Sequence, residues 1–279
     1  MTTVTHELTL PPLGPDSDEI LQVACEAALE GGQIVAGFFA QEIHSRSKEG
    51  EASYNLVTDA DVASERAMVA RIRRAFPQHA ILAEEEAAGA GVADDLWIID
   101  PLDGTNNFAH HIPHFAICVA YYRNGQPHCG VVFNPVRGDW YWASAAGPAY
   151  HNGRRLQVSA ATNLSQVLVG CGFFYDRGAM MEATLKCIAE FFGKEIHGIR
   201  RFGTASLDFC HVACGAFGAF FEYQLQPWDF AAARLIVERA GGKVTTGRGE
   251  PLPLRMTSVL ATNTYLHERC LEIVARHHP

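Results

Sequence analysis

The stretch Trp97-Ile98-Ile99-Asp100-Pro101-Leu102-Asp103-Gly104-Thr105-Asn106-Asn107-Phe108 is the most informative part of this chain, for its fold and for the place of its chemistry. Its apolar start predicts a buried strand, and Asp100 and Asp103 place two carboxylates where that strand ends. The Gly-Thr-Asn that follows predicts a turn or a helix start, whose free backbone N–H groups face an anion. Hard oxygen ligands beside an anion cradle indicate Mg²⁺-dependent phosphate chemistry.

A plainer interpretation of this stretch is a loop that uses its aspartates for local hydrogen bonds, since Asp-Gly is a common turn pair. Two other segments favour the metal site. Residues 80–86 form a second short apolar stretch that ends in carboxylates, and Pro227-Trp228-Asp229 places an acid in the first turn of a predicted helix. Three separate strand or helix ends would then supply acid to one site.

Composition and charge limit the possible functions. The chain has 279 residues, of which 48% are hydrophobic, and its formal net charge of −9 does not indicate general nucleic-acid binding. No apolar run approaches the roughly 18 residues that a membrane span needs. The N-terminus lacks the basic and apolar regions of a signal peptide. We therefore expect a cytoplasmic protein that does not associate with membranes.

The eight cysteines form no Cys-x-x-Cys pair and lie in apolar segments, so we interpret them as reduced core residues. Cys210 and Cys214, with His211 between them, have the spacing of a zinc-binding pair on a helix, but no third soft ligand stands at a recognisable spacing. We interpret three further histidines as loop residues near the mouth of the site: His110, His111 and His114.

The remaining pattern predicts alternating helices and strands. Residues 1–18 read as a flexible lead-in. Residues 19–160 form an N-terminal portion with an antiparallel sheet and the metal site, and residues 161–279 form a C-terminal portion with helices on both faces of a sheet; the boundary lies near residues 158–164. Helices are predicted over 18–39, 61–76, 180–192, 204–217, 229–240 and 266–277, and hairpin turns at Asn124-Gly125, 137–139 and Asn152-Gly153.

Ordered motifs along the chain give a more specific interpretation. They are Asn-Leu-Val-Thr-Asp-Ala-Asp at 55–61, Leu-Ala-Glu-Glu at 82–85, the stretch 97–108, and residues 228–242. In their order and spacing the chain resembles the inositol monophosphatase family over roughly residues 20 to 275. The resemblance implies an α/β (α+β) fold, the layered α-β-α-β-α sandwich of inositol monophosphatases and fructose-1,6-bisphosphatases.

The resemblance also implies a ligand set for two or three Mg²⁺ ions. Glu84, Asp100 and the backbone carbonyl of Leu102 would bind one ion, and Asp100, Asp103 and Asp229 would bind a second, with Asp100 bridging. A third, weaker ion depends on the loop at residues 47–54. This loop is longer than in the family, so Lys48 has no clear counterpart there.

Catalytic roles are implied for Thr105, which would position the attacking water, and for Asp61, which would accept a proton; Glu84 completes this group. The backbone N–H groups of Gly104 and Thr105 would hold the phosphate, and Glu85 would stand behind the metal ligands. The residues alone leave a second interpretation open, because Asp61 is also a suitable N-terminal charge for a helix capped by Thr58 or Asp59. Both interpretations can hold at once.

Two residues are implied to contact substrate, Ala205 beside the ring and Glu222 at its hydroxyl groups. Glu222 could instead pair with Arg200 or Arg201. The aromatic loop 172–177 could line the rim of the site, contribute to a dimer interface or pack between the two portions.

The family resemblance implies hydrolysis of a phosphate monoester, inositol monophosphate first, by a lithium-inhibited homodimer. Alternative substrates are fructose-1,6-bisphosphate, histidinol phosphate and 3′-phosphoadenosine phosphate. An aspartyl nucleophile of the haloacid-dehalogenase type would need Asp-x-Asp, whereas two residues separate Asp100 from Asp103. A further alternative is a regulatory protein that binds RNA polymerase or ribosome-associated partners.

Overall fold

The computed structural model describes residues 8–14, 17–41, 45–47, 56–85 and 93–279. Residues 1–7 and 15–16 of the predicted lead-in, and Lys48 with most of its loop, lie outside the described residues. The described strands form a seven-stranded sheet, a five-stranded sheet and an antiparallel pair, which consists of β1 (Ser45–Ser47) and β2 (Leu56–Thr58).

The larger sheet contains the predicted hairpins. Its strands follow one another in chain order, and all neighbours are antiparallel except the first two, which are parallel. Asn124-Gly125 and Asn152-Gly153 form turns with positive φ at both residues, as hairpins require. The strands are β3 (Ala80–Ala83), β4 (Asp95–Asp103), β5 (Ala116–Arg123), β6 (Gln126–Asn134), β7 (Asp139–Ser144), β8 (Ala149–His151) and β9 (Arg154–Arg155).

The smaller sheet mixes parallel and antiparallel neighbours in the order β11-β10-β12-β14-β13. β10 runs parallel to β11 and β12, whereas β14 is antiparallel to β12 and β13. A short 3₁₀ turn, Leu164–Gln166, precedes this sheet. Its strands are β10 (Leu168–Cys171), β11 (Gly198–Arg200), β12 (Phe217–Leu225), β13 (Lys243–Thr245) and β14 (Thr257–Thr262).

Helices and sheets alternate in five layers. The helices are α1 (Glu19–Phe39), α2 (Asp59–Ala75), α3 (Thr105–Ala109), α4 (Ala179–Phe192), α5 (Ala205–Ala213), α6 (Pro227–Arg239) and α7 (His267–Arg276). α1 and α2 cover the outer face of the larger sheet, α5 and α6 lie between the sheets, and α4 and α7 cover the outer face of the smaller sheet. The predicted α-β-α-β-α sandwich is therefore confirmed.

The central layer packs closely on the larger sheet. β6 passes so near α6 that a Cβ on Gly130 would collide with the backbone carbonyl of Ala232. Apolar side chains of both sheets and of α5 and α6 form one buried cluster. Burial of apolar surface is the main favourable term in folding, so this layer ties the predicted N-terminal and C-terminal portions together. A division near residues 158–164 stays a prediction.

Helix starts follow the sequence closely. Asp18 caps α1 by accepting a hydrogen bond from the Leu21 N–H at 2.9 Å. Thr58 caps α2, which begins two residues earlier than the pattern predicted. The predicted helix 204–217 was wrong at its end: α5 stops at Ala213, because Gly215 turns the chain at a φ of +77° and Phe217 already begins β12.

All eight cysteines are free, and seven are buried; Cys214 is exposed, so its assignment to the core was wrong. Among the described residues, no three or more His, Cys, Asp or Glu side chains stand close enough to hold a metal ion as they are. The zinc interpretation of Cys210 and Cys214 therefore gains no support. Within the same residues, no helix combines the length and apolarity that crossing a bilayer would demand.

The buried histidine His267 makes stability depend on pH. Its exposed fraction is 1%, its Nδ1 lies 2.9 Å from Thr262 Oγ1, and its Nε2 lies 3.2 Å from Thr245 Oγ1. Burial, helped by Lys243, lowers its pKa to about 4. Between pH 6.5 and 4, His267 is protonated in the unfolded chain and neutral in the folded protein. The stability contributed by His267 is therefore present at neutral pH and lost on acidification.

We expect the stability advantage of the wild type over His267→Asn to shrink by about 2 kcal/mol between pH 7 and pH 5. Urea unfolding of both proteins at the two pH values measures this difference. Other buried groups titrate equally in both proteins and cancel. Parallel stability curves would show that His267 takes up its proton in the folded state.

Candidate active site

β4 carries the first acidic residues of the site to the edge of the larger sheet. Its pairing with β5 shifts register between Asp100, which lies opposite Cys118, and Asp103, which lies opposite Ala116. Asp100 is 1% exposed, and its Oδ1 accepts the Leu102 N–H at 2.9 Å. Its Oδ2 has no hydrogen-bond partner among the described residues. Burial, followed by the charges of Glu84, Asp103 and Asp229, raises the pKa of Asp100 well above its usual value.

Asp103 is bound by the start of α5. Ser206 donates two hydrogen bonds to Asp103 Oδ2, from its N–H at 2.7 Å and from its hydroxyl at 2.6 Å. Burial raises the pKa of Asp103 to about 6, although the bonds from Ser206 oppose the rise. The C-terminal portion of the chain therefore positions an acid of the N-terminal portion.

Asp229 stands in the first turn of α6, as predicted. Its Oδ2 accepts the Gln226 N–H at 2.7 Å and so caps the helix from within. Burial, followed by the charges of Asp103 and Glu84, raises its pKa well above the usual value. Carboxylates that influence one another in this way lie in one cluster.

The cluster opens into a cavity of about 380 Å³. Its lining includes every implied metal ligand and the residues next to them: Glu84, Glu85, Asp100, Leu102, Asp103, Gly104, Thr105 and Asp229. Although no three described side chains enclose an ion as they stand, the donors are hard oxygens and one oxygen of Asp100 lacks a partner. The neighbouring charges raise the pKa values of Asp100 and Asp229, and a divalent cation would offset that repulsion, so the residues fit Mg²⁺.

Asp61 links α2 to the end of β4. Its Oδ2 accepts bonds from Thr58 N at 2.8 Å and Thr58 Oγ1 at 2.5 Å, so the capping interpretation is confirmed. Its Oδ1 lies 3.0 Å from Thr105 Oγ1, which also lies 3.1 Å from the Leu102 carbonyl oxygen. The single Thr105 proton can serve only one of these acceptors at a time. Burial, with Glu84 and Glu85 nearby, raises the pKa of Asp61 to about 7, against the bonds from Thr58.

Gly104 makes the predicted turn at a φ of +98°. A Cβ here would collide with Thr204 Oγ1 and lie 3.2 Å from the His114 carbonyl oxygen, so the turn requires glycine. Thr204 Oγ1 and Asn107 Nδ2 each donate to that carbonyl at 2.8 Å. These bonds hold the His114 carbonyl beside the Gly104 turn. The phosphate-binding role of the Gly104 and Thr105 N–H groups stays a prediction.

Glu85 follows β3 at the margin of the cavity. Its N–H donates to Glu65 Oε2 at 2.7 Å, which ties the segment after β3 to α2. This contact sets the direction of the chain at Glu84. The supporting role predicted for Glu85 is compatible with its place.

Glu222 and Ala205 line a second cavity of about 100 Å³ that shares Asp103, Thr105 and Asp229 with the first. Glu222 lies on β12 and is 7% exposed. Burial raises its pKa to about 8, the charge of Arg201 opposes the rise, and Asp208 adds to it. Of the two arginines considered from the sequence, Arg201 lines this cavity with Glu222, and the substrate-contact role of Glu222 stays a prediction.

The aromatic loop lies at the rim. Phe174 and Tyr175 line both cavities, and Phe173 lines the second cavity and also packs against the outer core of the C-terminal portion. Three histidines lie in the loop after α3, as expected: His110, His111 and His114. None of them lines either cavity. His114 instead lines a separate cavity of about 290 Å³ with His211, and burial, helped by the charges of His211 and Arg137, lowers its pKa to about 4.

Several residues of the site were not predicted from the sequence. Ser206 belongs to a conspicuous Gly-Thr-Ala-Ser segment, but its two bonds to Asp103 were not anticipated; a serine at a helix start is a common anion donor and was the available signal. Asn107 and Thr204 join the loops behind the Gly104 turn. Asp208 lines the second cavity from the mostly apolar helix α5, and a buried-helix acid of this kind was its signal in the sequence.

Comparison with known proteins agrees with this geometry. The model of the inositol monophosphatase family matches residues 16–278. An inositol-1-monophosphatase of Rhizobium meliloti is 38% identical over 260 residues, which cover 92% of this chain and 96% of that protein. A putative Nus factor SuhB of Neisseria meningitidis is 39% identical over 258 residues, 92% of this chain and 98% of that protein.

Solved structures share the whole fold. An IMPase of Thermotoga maritima superposes with a TM-score of 0.84 at 30% identity, over 93% of this chain and 98% of that one. A structure described as an IMPase/NADP phosphatase complexed with Mg²⁺ and phosphate has a TM-score of 0.80 at 25% identity, over 91% of this chain and 94% of that one.

Proposed function

Because this chain belongs to the inositol monophosphatase family, we propose that it is a Mg²⁺-dependent phosphomonoesterase whose substrate is inositol monophosphate or a closely similar polyol phosphate. The observation that carries this proposal is the convergence of Glu84, Asp100, Asp103 and Asp229 on one cavity. Asp100 Oδ2, which has no hydrogen-bond partner in the part of the chain that the structure describes, lies within this group.

The metal ligands proposed are those implied by the sequence. Glu84, Asp100 and the Leu102 carbonyl would hold one Mg²⁺, and Asp100, Asp103 and Asp229 a second; a third ion is proposed only by resemblance. Bound divalent ions supply an activated water near neutral pH and neutralise charge on the leaving oxygen. The related structure that holds Mg²⁺ and phosphate supports this choice of ion.

The residues of this chain would move the proton. Asp61 Oδ1 and Thr105 Oγ1 are in hydrogen-bond contact at 3.0 Å, so the threonine hydroxyl can pass its proton to Asp61 while it accepts one from water. A pKa of about 7 suits Asp61 to proton transfer near neutral pH. The backbone N–H groups of Gly104 and Thr105 would hold the phosphate, while Glu222 and Ala205 would contact the alcohol.

The test is phosphate release from inositol 1-phosphate with Mg²⁺ and with excess chelator. We expect turnover only with Mg²⁺. Fructose-1,6-bisphosphate, histidinol phosphate and 3′-phosphoadenosine phosphate, assayed in parallel, separate the alternative substrates. Turnover that persists in chelator, or none on any of the esters with Mg²⁺, would contradict the proposal.

Glu222→Gln should change substrate preference. Leaving a buried substrate hydroxyl without its Glu222 partner costs about 1–3 kcal/mol, so we expect kcat/KM for inositol 1-phosphate to fall about 10–100-fold. A hydroxyl-poor aryl phosphate should be almost unaffected, because it offers Glu222 no donor. Equal losses on both substrates would assign Glu222 to structure rather than recognition.

Further properties of the family are proposals for this chain: a homodimer, inhibition by lithium and a cytoplasmic location. Light scattering in solution measures the first property, and turnover against lithium concentration measures the second. A monomer in solution would contradict the homodimer, and turnover that is unchanged at high lithium concentration would contradict inhibition by lithium.

A second candidate function is a regulatory binding role, because a relative that is 39% identical is named a putative Nus factor. The partner would be RNA polymerase or a ribosome-associated protein. A pull-down of RNA polymerase with and without Mg²⁺ tests this role. Absence of capture in both conditions would leave catalysis as the function.

A further inference from the structure

An exposed methionine lies at the start of β14, and the mechanism does not use it. Met256 directly precedes β14 and is 49% exposed. Of the other methionines that the structure describes, Met68 is fully buried, and Met180 and Met181 are half-buried. Oxidation of a thioether requires access from solvent, so Met256 is the described methionine most open to it.

Two glutamine amides contact the sulphur of Met256. Gln224 Nε2 lies 2.6 Å from Met256 Sδ, and Gln226 Nε2 lies 3.5 Å from it. Gln224 belongs to β12, and Gln226 is the N-cap residue of α6. A thioether sulphur is only a weak hydrogen-bond acceptor, so both amides donate to a poor partner.

Gln226 connects this sulphur to the acidic cluster. Its side chain accepts a hydrogen bond from the Asp229 N–H, and its own N–H donates to Asp229 Oδ2 at 2.7 Å. The accepted bond identifies the oxygen end of the Gln226 amide, so the NH₂ end is the one that contacts Met256. Gln226 also lines the cavity of about 380 Å³, whereas Met256 lines another cavity of about 350 Å³. One amide therefore joins an exposed thioether to a proposed metal ligand.

We propose that Met256 is a peroxide-sensitive modification site, whose oxidation to the sulfoxide weakens Mg²⁺ binding through Gln226 and Asp229. The effect on Mg²⁺ rests on the proposed phosphatase function. The site of oxidation does not.

Hydrogen peroxide supplies the oxygen atom in this reaction. A lone pair of Met256 Sδ attacks one peroxide oxygen, and the S–O bond forms as the O–O bond breaks. A proton moves to the departing oxygen, which leaves as water. The sulphur is oxidised by two electrons, and the peroxide is reduced by two. Methionine sulfoxide reductase returns the thioether, so the modification is reversible.

The added oxygen changes the surroundings of Gln226. It makes the side chain of Met256 polar and occupies space beside a sulphur that two amides already contact. The Gln226 amide must then shift to bond the new oxygen, which disturbs its bonds with Asp229. Loss of a group that hydrogen-bonds to a metal ligand typically weakens metal binding by about 10–100-fold. Gln226 supports one ligand, so we expect a loss of about tenfold.

The experiment compares untreated and peroxide-treated protein in a Cys214→Ser background, which removes the exposed thiol. Mass spectrometry of peptides should find the added oxygen on Met256 before it appears on Met68, Met180 or Met181. Calorimetric titration with Mg²⁺ should then give a dissociation constant about tenfold higher than in untreated protein. Treatment with methionine sulfoxide reductase should restore the original value.

Three variants locate the effect. Met256→Leu should bind Mg²⁺ as before and keep that affinity after peroxide. Met181→Leu, the matched control, removes a half-buried methionine of α4 and should leave the response to peroxide intact. In Gln226→Ala, Met256 should still be oxidised, but peroxide should cause no further change in Mg²⁺ affinity, because the connecting amide is absent.

Earlier oxidation of another methionine, unchanged Mg²⁺ affinity in the oxidised protein, or an equal loss in Met256→Leu would each overturn the proposal. A full response to peroxide in Gln226→Ala would overturn the route through that amide. If the untreated protein bound no Mg²⁺, the proposed function would fall, and the effect on metal with it. The mass spectra would still decide whether Met256 is the site of modification, so the two failures are distinguishable.

Discussion

Asp100→Asn should abolish turnover and yet leave the metal-free protein more stable than the wild type. Asp100 is proposed to bridge two ions, so the substitution removes charge from both. Metal ions contribute several kcal/mol to transition-state stabilisation, and we expect phosphate release to fall by about 10³-fold or more. The measurement is phosphate release from inositol 1-phosphate at saturating Mg²⁺.

The melting temperature of metal-free Asp100→Asn should be higher than that of the metal-free wild type. Without metal, Asp100 is a buried acid among acids, and the neutral amide of the variant would remove that repulsion. Each kcal/mol recovered raises the unfolding temperature by about 2–4 °C in a chain of this size. The pKa of Asp100 is raised in the folded protein, so this residue lowers the free energy of unfolding at neutral pH. That loss of stability disappears below the usual carboxyl pKa. The melting temperatures of the wild type and Asp100→Asn should therefore converge in acid.

Asp94→Asn is the matched control, because this exposed acid lies just before the other end of β4 and should change neither turnover nor the melting temperature. Wild-type turnover in Asp100→Asn would contradict the metal assignment. A lower melting temperature in chelator would show that the carboxylate stabilises the empty site.

Thr105→Ala and Asp61→Asn should each lower kcat by about 10²-fold or more, since general base catalysis contributes about 10²–10⁴-fold. The two side chains are in contact and would act on the same proton, so the double variant should be scarcely worse than the worse single one. KM should change little, because neither side chain is proposed to contact the alcohol. The amide oxygen introduced by Asp61→Asn can still accept the capping bond from Thr58, and thermal unfolding checks this.

A covalent route would produce a different result. In a mechanism of the haloacid-dehalogenase type, Asp100 would carry the phosphoryl group, and mass spectrometry of acid-quenched enzyme would detect the adduct. Such an adduct, or independent and additive effects of the two substitutions, would contradict water attack assisted by Asp61.

Much of the site could be predicted because its residues lie at the ends of regular elements. An apolar run that ends in Asp100 and Asp103 predicts a buried strand followed by acids, and the acids near residues 84 and 229 favoured that interpretation over a simple loop. Thr58 and Asp61 have the spacing of a capping box, and the structure contains that box. Local rules of this kind need no knowledge of the tertiary fold.

The remaining features depend on contacts between distant segments. Ser206 reaches Asp103 across 103 positions of the chain, and no local pattern reports such a pairing. Asp208 has the place of an ordinary first-turn acid, and the tertiary fold alone brings it to the wall of the cavity that Glu222 also lines. The end of α5 was missed because its apolar pattern continues into β12, and only the positive φ of Gly215 separates the two.

The central helices belong to both sheets, and this limits how the molecule can be divided or recombined. A fragment that stops near residue 160 would keep Glu84, Asp100 and Asp103. It would lose Asp229 and the hydrogen bonds that Ser206 donates to Asp103. A hybrid that took its second half from a relative would need a helix able to lie against the bare backbone of Gly130. Neither half of the chain therefore carries a complete active site, and substitutions at the packing surface of one half require matching substitutions in the other.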